Sequence, residues 1–506
     1  MKKLLVSLIC VFMVCSFVFA GGSGEKETAT KELQYKESVV CADGSQITTG
    51  DPQAINNLQH NRLFKCSHNT LVSYNSAEAK YEPELATSWE WSSDLLTLTL
   101  KLRDDVYFQN GEKFTAKDVA YSYDRIMGMN STASSKFVGV LDHTEVVDDY
   151  TIKLVLVKPN VDWLDTLALP LASIVNQKAI EADPLKGPWV GTGMWIITEL
   201  EEGDFVHMVK NENYWGGTTH TKELTLRYIS EASARLIALQ NGEVDVCIGP
   251  AETEKGYIEE DPNLVLIDIP SATCCYFAFN TSKGPGSDEN LRLAFAHCIN
   301  YEDVILGAAS GDGKRAISNW GPVTFGYYDG FGDYTYDLEL AKQYLAKSAY
   351  KEITISVKDN ARLRAAQIIQ ANAKEIGLTV NIEELEAAAL TAKSAFKTAE
   401  HEAMLYTLGW NSYGDDASRA YGKNSNTNKA TLSDDRVMEL LALARECTDN
   451  ELRKTYYAEI QTLNHEHAWY IPLYYTGLSV AINKGVTGVI WEGHQSHDYS
   501  NIEVVL

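Results

Sequence analysis

Positive charge is scarce in this 506-residue sequence: 44 Lys and Arg stand against 69 Asp and Glu, a formal charge of −25. A polyanion binder needs a basic surface, so nucleic acid is excluded as a partner. Long apolar runs are equally rare. The one that exists sits at the extreme N-terminus, which excludes a polytopic membrane protein. Cysteine occurs nine times but never as CxxC, so no redox or zinc pair is spelled out. Catalytic signatures are also missing. There is no G-x-S-x-G elbow and no HExxH, and Gly311-Asp312-Gly313-Lys314 lacks the spacing of a phosphate loop. His465 and His467 are two apart, a spacing that turns them to different sides of a helix. No metal or cofactor is therefore expected, and Asp415-Asp416 alone does not argue for a glycosidase.

What is present begins with Lys2 and Lys3, the apolar run Leu4 to Phe19, and Ala20, the order of a secretory signal peptide over residues 1–20. The run of about 16 residues is short of the ~20 that a helical span needs. Ile9 and Val14 stand where a lipobox places a small residue before its cysteine, so a lipid anchor is not expected. Residues 21–35 open with GGSGEKETATKE and read as a flexible leader. Seven cysteines follow, an odd number in mostly apolar surroundings, which suits small core residues better than bridges.

Beyond the leader no low-complexity linker and no repeat appears. Leu96 to Leu102 alternates as a half-buried strand, and Val106-Tyr107-Phe108 reads as a second short one. Thr115 with Asp118 forms a capping-box pattern ahead of a helix whose Val119, Tyr123, Ile126 and Met127 share a face. Strand 353–357, helix 361–376, Gly377 and strand 378–382 predict a parallel βαβ unit. Asp337 caps another helix, and helices are predicted over 434–447 and 451–465. The mixture predicts two α/β lobes.

At residues 69–127 the order becomes specific. Asn69-Thr70-Leu71-Val72 is followed by Tyr81-Glu82-Pro83-Glu84-Leu85-Ala86, Leu102-Arg103-Asp104-Asp105, Asn110-Gly111 and Phe114-Thr115-Ala116-Lys117-Asp118. Gly191-Thr192-Gly193, Asn213-Tyr214-Trp215-Gly216-Gly217, Ala238 to Asp245, Phe279-Asn280 and Ile376-Gly377-Leu378 come later in the same order. The sequence resembles the family 5 extracellular solute-binding proteins, the peptide- and nickel-type receptors of ABC importers.

That resemblance implies an α/β, two-lobe periplasmic-binding-protein-like fold of type II with two interlobe crossover strands. Lobe I would span 36–274 with an inserted subdomain at about 70–185. Lobe II would span 275–473, and 474–506 would return to lobe I. It implies a monomeric, non-enzymatic receptor, periplasmic or at the cell surface, that takes a peptide-like solute and meets ABC permease subunits. An oligosaccharide, a nickel chelate or another small solute are the alternative ligands, and a secreted hydrolase is the rival class. The implied ligand residues are Trp410, Asn411, Tyr413, Asp415, Asp416, Arg364, Tyr276, Asn69 and His68. Trp410 would stack on the ligand, and Trp320 would sit on a rim loop. Tyr413 stands where peptide-binding members carry an amine-pairing Asp, which leaves Asp415 or Asp416 as its replacement or a sugar-like ligand as the reason.

Overall fold

Alternation in the strand Thr273–Phe279 decides how the second half of the chain packs. Cys275, Phe277 and Phe279 point to one face, into a core shared with the helices Glu289–Cys298, Leu338–Lys347 and Asn360–Glu375. Cys274, Tyr276 and Ala278 point to the other, into a core shared with Asp435–Arg445 and Asn450–His467. A strand buried on both faces reads as a continuous apolar run, as this one does. Full burial of Phe277 or Phe279 favours folding by about 1.5–3 kcal/mol. The computed structural model describes residues 33–75, 80–311, 313–410, 416–492 and 496–506. Residues 1–32, and with them the signal-peptide reading, lie outside the described residues.

Two large sheets carry the architecture. The six-stranded sheet runs Lys314–Arg315, Tyr470–Tyr475, Thr273–Phe279, Ala403–Gly409, Glu352–Val357, Thr379–Glu384. Its last two strands are the expected parallel pair, joined by the helix Asn360–Glu375 that stops before Gly377 at φ +85°. Pro472 lies where the ladder to Thr273–Phe279 shifts register, so its missing N–H costs no regular bond. The seven-stranded sheet runs Leu264–Asp268, Ser479–Asn483, Val246–Ile248, Ser38–Asp43, Glu223–Tyr228, Phe205–Lys210, Trp195–Glu201.

The chain passes between the sheets at Ile269–Ala272 and again at Thr476–Leu478. The boundaries expected at 274/275 and 473/474 fall instead inside strands, because the β-prone pattern runs on into the six-stranded sheet. The two connections are tied together. Ile269 N–H donates to the Leu478 carbonyl at 2.8 Å and Thr476 N–H to the Thr273 carbonyl at 3.0 Å. The Ser271 and Thr476 hydroxyls meet at 3.2 Å.

A four-stranded antiparallel sheet, Ala86–Trp91, Thr97–Leu102, Thr151–Leu156, Leu141–Asp148, makes a third body. Leu98, Leu100, Ile152 and Leu154 pack there with Val119, Tyr123 and Ile126 of the helix Ala116–Gly128. The Asp118 carboxylate accepts the Thr115 backbone N–H at 2.9 Å and its hydroxyl at 3.0 Å, the expected capping box in part. Val106–Phe108 is not a strand but one arm of a tight turn held by a single Tyr107–Lys113 bridge. Gly111 at its tip has φ +84°. The seven described cysteines are all free, six of them buried.

Gly193 shows why its motif admits no side chain. A Cβ there would lie 2.5 Å from the Ser67 carbonyl carbon and 2.6 Å from the Cys66 carbonyl oxygen. This close approach seats the end of the helix Leu58–Ser67 against the start of Trp195–Glu201. Gly193→Ala is expected to lower stability by about 1–3 kcal/mol in urea unfolding, since backbone rather than a flexible side chain must move. Unchanged stability would contradict this packing account.

Candidate functional site

Trp410 follows the strand Ala403–Gly409 and donates its backbone N–H to the Ala272 carbonyl, 3.1 Å away in the first connection between the sheets. Its indole stacks on Trp320 with ring centroids 4.6 Å apart. Trp320 leans in turn on Tyr457 at 5.3 Å. Trp410 is only 1% exposed, and among the described residues its Nε1–H has no hydrogen-bond partner. Trp320 is buried as well, so it forms part of this stack and not the expected rim loop. Tyr276 belongs to the same core and packs edge-on to Tyr470 at 5.1 Å, with its hydroxyl unpartnered among the described residues. Burial pushes the Tyr276 phenol far above its ordinary pKa.

The other expected ligand residues fall in different places. Asn411, Tyr413 and Asp415 lie outside the described residues, and Asp416 opens the short helix Asp416–Tyr421. Arg364 is exposed on Asn360–Glu375 and donates from Nε to the Gly307 carbonyl at 2.9 Å. That helix packs on the sheet face opposite the Trp410 stack, so the two are not brought together. His68 is buried, its ring bridging the Ser67 hydroxyl at 2.8 Å and the Pro188 carbonyl at 3.0 Å. Burial lowers its pKa to about 4, which keeps the ring neutral near pH 7. Asn69 is held by Glu84 at 2.8 Å and by the Thr192 hydroxyl at 2.9 Å. Both polar ends of Asn69 are thus engaged by the scaffold.

His68 also borders a cavity of about 410 Å³ whose lining includes Lys65, Tyr74, Glu84, Trp491, Glu492 and Asp498. Lys65 pairs with Glu492 at 2.5 Å. Burial raises the Glu84 pKa, opposed by hydrogen bonds from Thr70 and Asn69. The space offers an aromatic wall, carboxylates and one ammonium, a lining suited to a polar ligand with apolar parts. Sequence reasoning missed these residues because Lys65 and Glu492 are 427 positions apart and neither stands in a recognisable motif.

A second feature it missed joins the four-stranded body to the six-stranded one. Asp162 pairs with Arg453, and the Tyr457 hydroxyl donates to the same carboxylate at 3.1 Å. Beside them Val161 N–H donates to the Arg445 carbonyl at 2.8 Å. Among the described residues no group of three or more His, Cys, Asp or Glu is placed to hold a metal ion, and no helix is long and apolar enough to cross a membrane.

Comparison with known proteins agrees with this architecture. The family model "Bacterial extracellular solute-binding proteins, family 5 Middle" matches residues 80–431. Heme-binding protein A of Haemophilus influenzae is 27% identical, over 93% of this chain and 93% of its own length. Di/tripeptide-binding protein 2 of Pseudomonas aeruginosa is 26% identical, over 94% of this chain and 96% of its own. The Helicobacter pylori periplasmic binding protein DppA, solved with the peptide STSA, superposes with a TM-score of 0.75 at 25% identity, covering 93% of this chain and 98% of that one. These relatives are binding proteins, and two sheets joined by paired connections are the frame of a two-lobe receptor. The chain belongs to the family 5 bacterial extracellular solute-binding proteins.

Proposed function

We propose that this protein is the extracytoplasmic receptor of an ABC importer and captures a peptide by closing two lobes around it. Lobe I is the seven-stranded sheet with the four-stranded body as its inserted subdomain, at about 70–185. Lobe II is the six-stranded sheet with its helices. The observation that carries the reading is the pair of short, mutually hydrogen-bonded connections at Ile269–Ala272 and Thr476–Leu478. Two adjacent straps permit rotation and resist sideways slip. Hinge closure around a ligand is the standard behaviour of periplasmic binding proteins.

A ligand that touches both lobes binds the closed state better and shifts the population toward it, and only that difference in affinity drives the motion. Catalysis has no part in it. The names of the di/tripeptide-binding relative and of the peptide-bound DppA support a peptide as the cargo. A permease then recognises the closed form. Secretion through residues 1–20 brings the receptor to the compartment where that encounter occurs.

Two outcomes are expected. A pool of short peptides raises the melting temperature by mass action, about 2.7 kcal/mol of stabilisation at a hundredfold excess over Kd, and mass spectrometry recovers the bound peptide intact. Cleaved peptide, or no shift with any peptide, would contradict the reading. Alanine at position 410 would confound a binding test, because removing a buried Trp costs about 3–5 kcal/mol of stability on its own. Trp410→Phe keeps a ring in the stack and removes the free indole N–H. If that N–H serves the ligand, calorimetry will show peptide affinity reduced two- to tenfold, roughly the worth of one hydrogen bond. Unaltered affinity would remove the Trp410 indole from the site.

A further inference from the structure

Where the chain crosses between the two large sheets there is a cavity of about 100 Å³. Asp268 lines it from the end of the seven-stranded sheet, Lys314 and Tyr475 from the end of the six-stranded one, and Ser271 and Thr476 from the two connections. Each wall is fixed on its own side. Asp268 pairs with Ser479 in the strand ladder, and its Oδ1 accepts the Ser479 hydroxyl at 2.7 Å. Lys314 pairs with Tyr475 in the other ladder, and the Tyr475 hydroxyl donates to the Ser318 carbonyl at 3.0 Å. The lining loop at Pro322 is pressed onto the first connection, since a Cβ on Gly321 would come within 2.4 Å of the Ala272 Cα. Two charges of opposite sign thus line one space without pairing to each other. Among the described residues Lys314 has no ion-pair partner, and Asp268 has only Lys255, 3.7 Å from Oδ1, with Oδ2 accepting no hydrogen bond.

We infer that this hinge cavity binds a small free amino acid of the size of glycine or alanine, with its carboxylate on Lys314 and its ammonium on Asp268. The inference rests on the hinge-closure reading above. A cavity of about 150 Å³ holds benzene, so this one holds a molecule of about four to six heavy atoms. Charge-assisted hydrogen bonds at its two ends supply the affinity. The two charged walls belong to different lobes, so the angle between the lobes sets the span that the zwitterion bridges. An occupant binds best at the angle that suits its length and shifts the population toward it. Peptide and amino acid are then coupled through the lobe angle, and the coupling is reciprocal. By this route a peptide receptor senses the free amino acids that peptide hydrolysis yields.

The test is isothermal titration calorimetry on the full chain, with L-alanine as one titrant and a tryptic casein digest as the source of peptides. L-Alanine is expected to bind the parent, to bind Lys314→Met and Asp268→Asn about tenfold more weakly, and to bind Lys314→Arg nearly as well as the parent. Asp268→Asn keeps an acceptor for the Ser479 hydroxyl, so the wall stays in place. L-Alanine at a concentration that saturates the parent is expected to change its digest affinity about fivefold or more, and to leave that of Lys314→Met and Asp268→Asn close to the value without alanine. Without alanine, all variants bind the digest as the parent does. No alanine binding at millimolar concentration, or equal binding to every variant, would overturn the site, the second result placing the amino acid elsewhere. Digest affinity that ignores bound alanine would overturn the coupling and leave hinge closure standing. A parent that takes up alanine but no digest peptide would overturn the peptide reading, and the coupling with it.

Discussion

The hydrogen bonds between the two chain crossings are the constraint on which this molecule depends. Each crossing is a few residues long, and each is anchored in a strand on either side. Ile269 bonds to Leu478, Thr476 to Thr273, and the Ser271 and Thr476 hydroxyls meet between them. A single strap would let the lobes twist freely, and a broad shared sheet would let them move hardly at all. Two adjacent straps leave one soft rotation. The Trp410 backbone is tied to Ala272 in one of those straps, so the aromatic stack is built directly onto the hinge.

Polar and apolar groups divide the work on either side of that hinge. The apolar faces of the six-stranded sheet give lobe II a double core that has no reason to change shape. The polar cavity beside Lys65, Tyr74 and Glu492 takes no lining residue from the six-stranded sheet or its helices. Among the described residues, the Trp410 indole N–H and the Tyr276 hydroxyl are buried without a hydrogen-bond partner. Orphaned donors of this kind are costly in a settled core and useful in a site that a ligand completes.

Elements governed by local chemistry were legible from the residues alone. The alternation of Leu96 to Leu102, the Asp337 cap and the helix stop at Gly377 reappear within a residue or two as Thr97–Leu102, Leu338–Lys347 and Asn360–Glu375. The family could be read from ordered motifs, and part of its physical basis is now visible in Gly193, whose motif is a packing requirement. The first crossing was expected a few residues too late and the second a few too early, although Pro270 and Gly477 mark them, because the β-prone residues at which both were placed belong to the six-stranded sheet. Site geometry was the least legible part. Trp410 reads equally well as an open wall or as one half of a buried stack until Trp320 is seen against it. Asp162 and Arg453 are 291 positions apart, and no local pattern could have paired them.

The central claim is that the lobes swing together on these straps around a solute. Small-angle X-ray scattering of the protein, with and without a peptide whose binding is verified in the same sample, tests it most directly. The account predicts a smaller radius of gyration and a more compact profile when peptide is bound. Superimposable curves at full occupancy would contradict it.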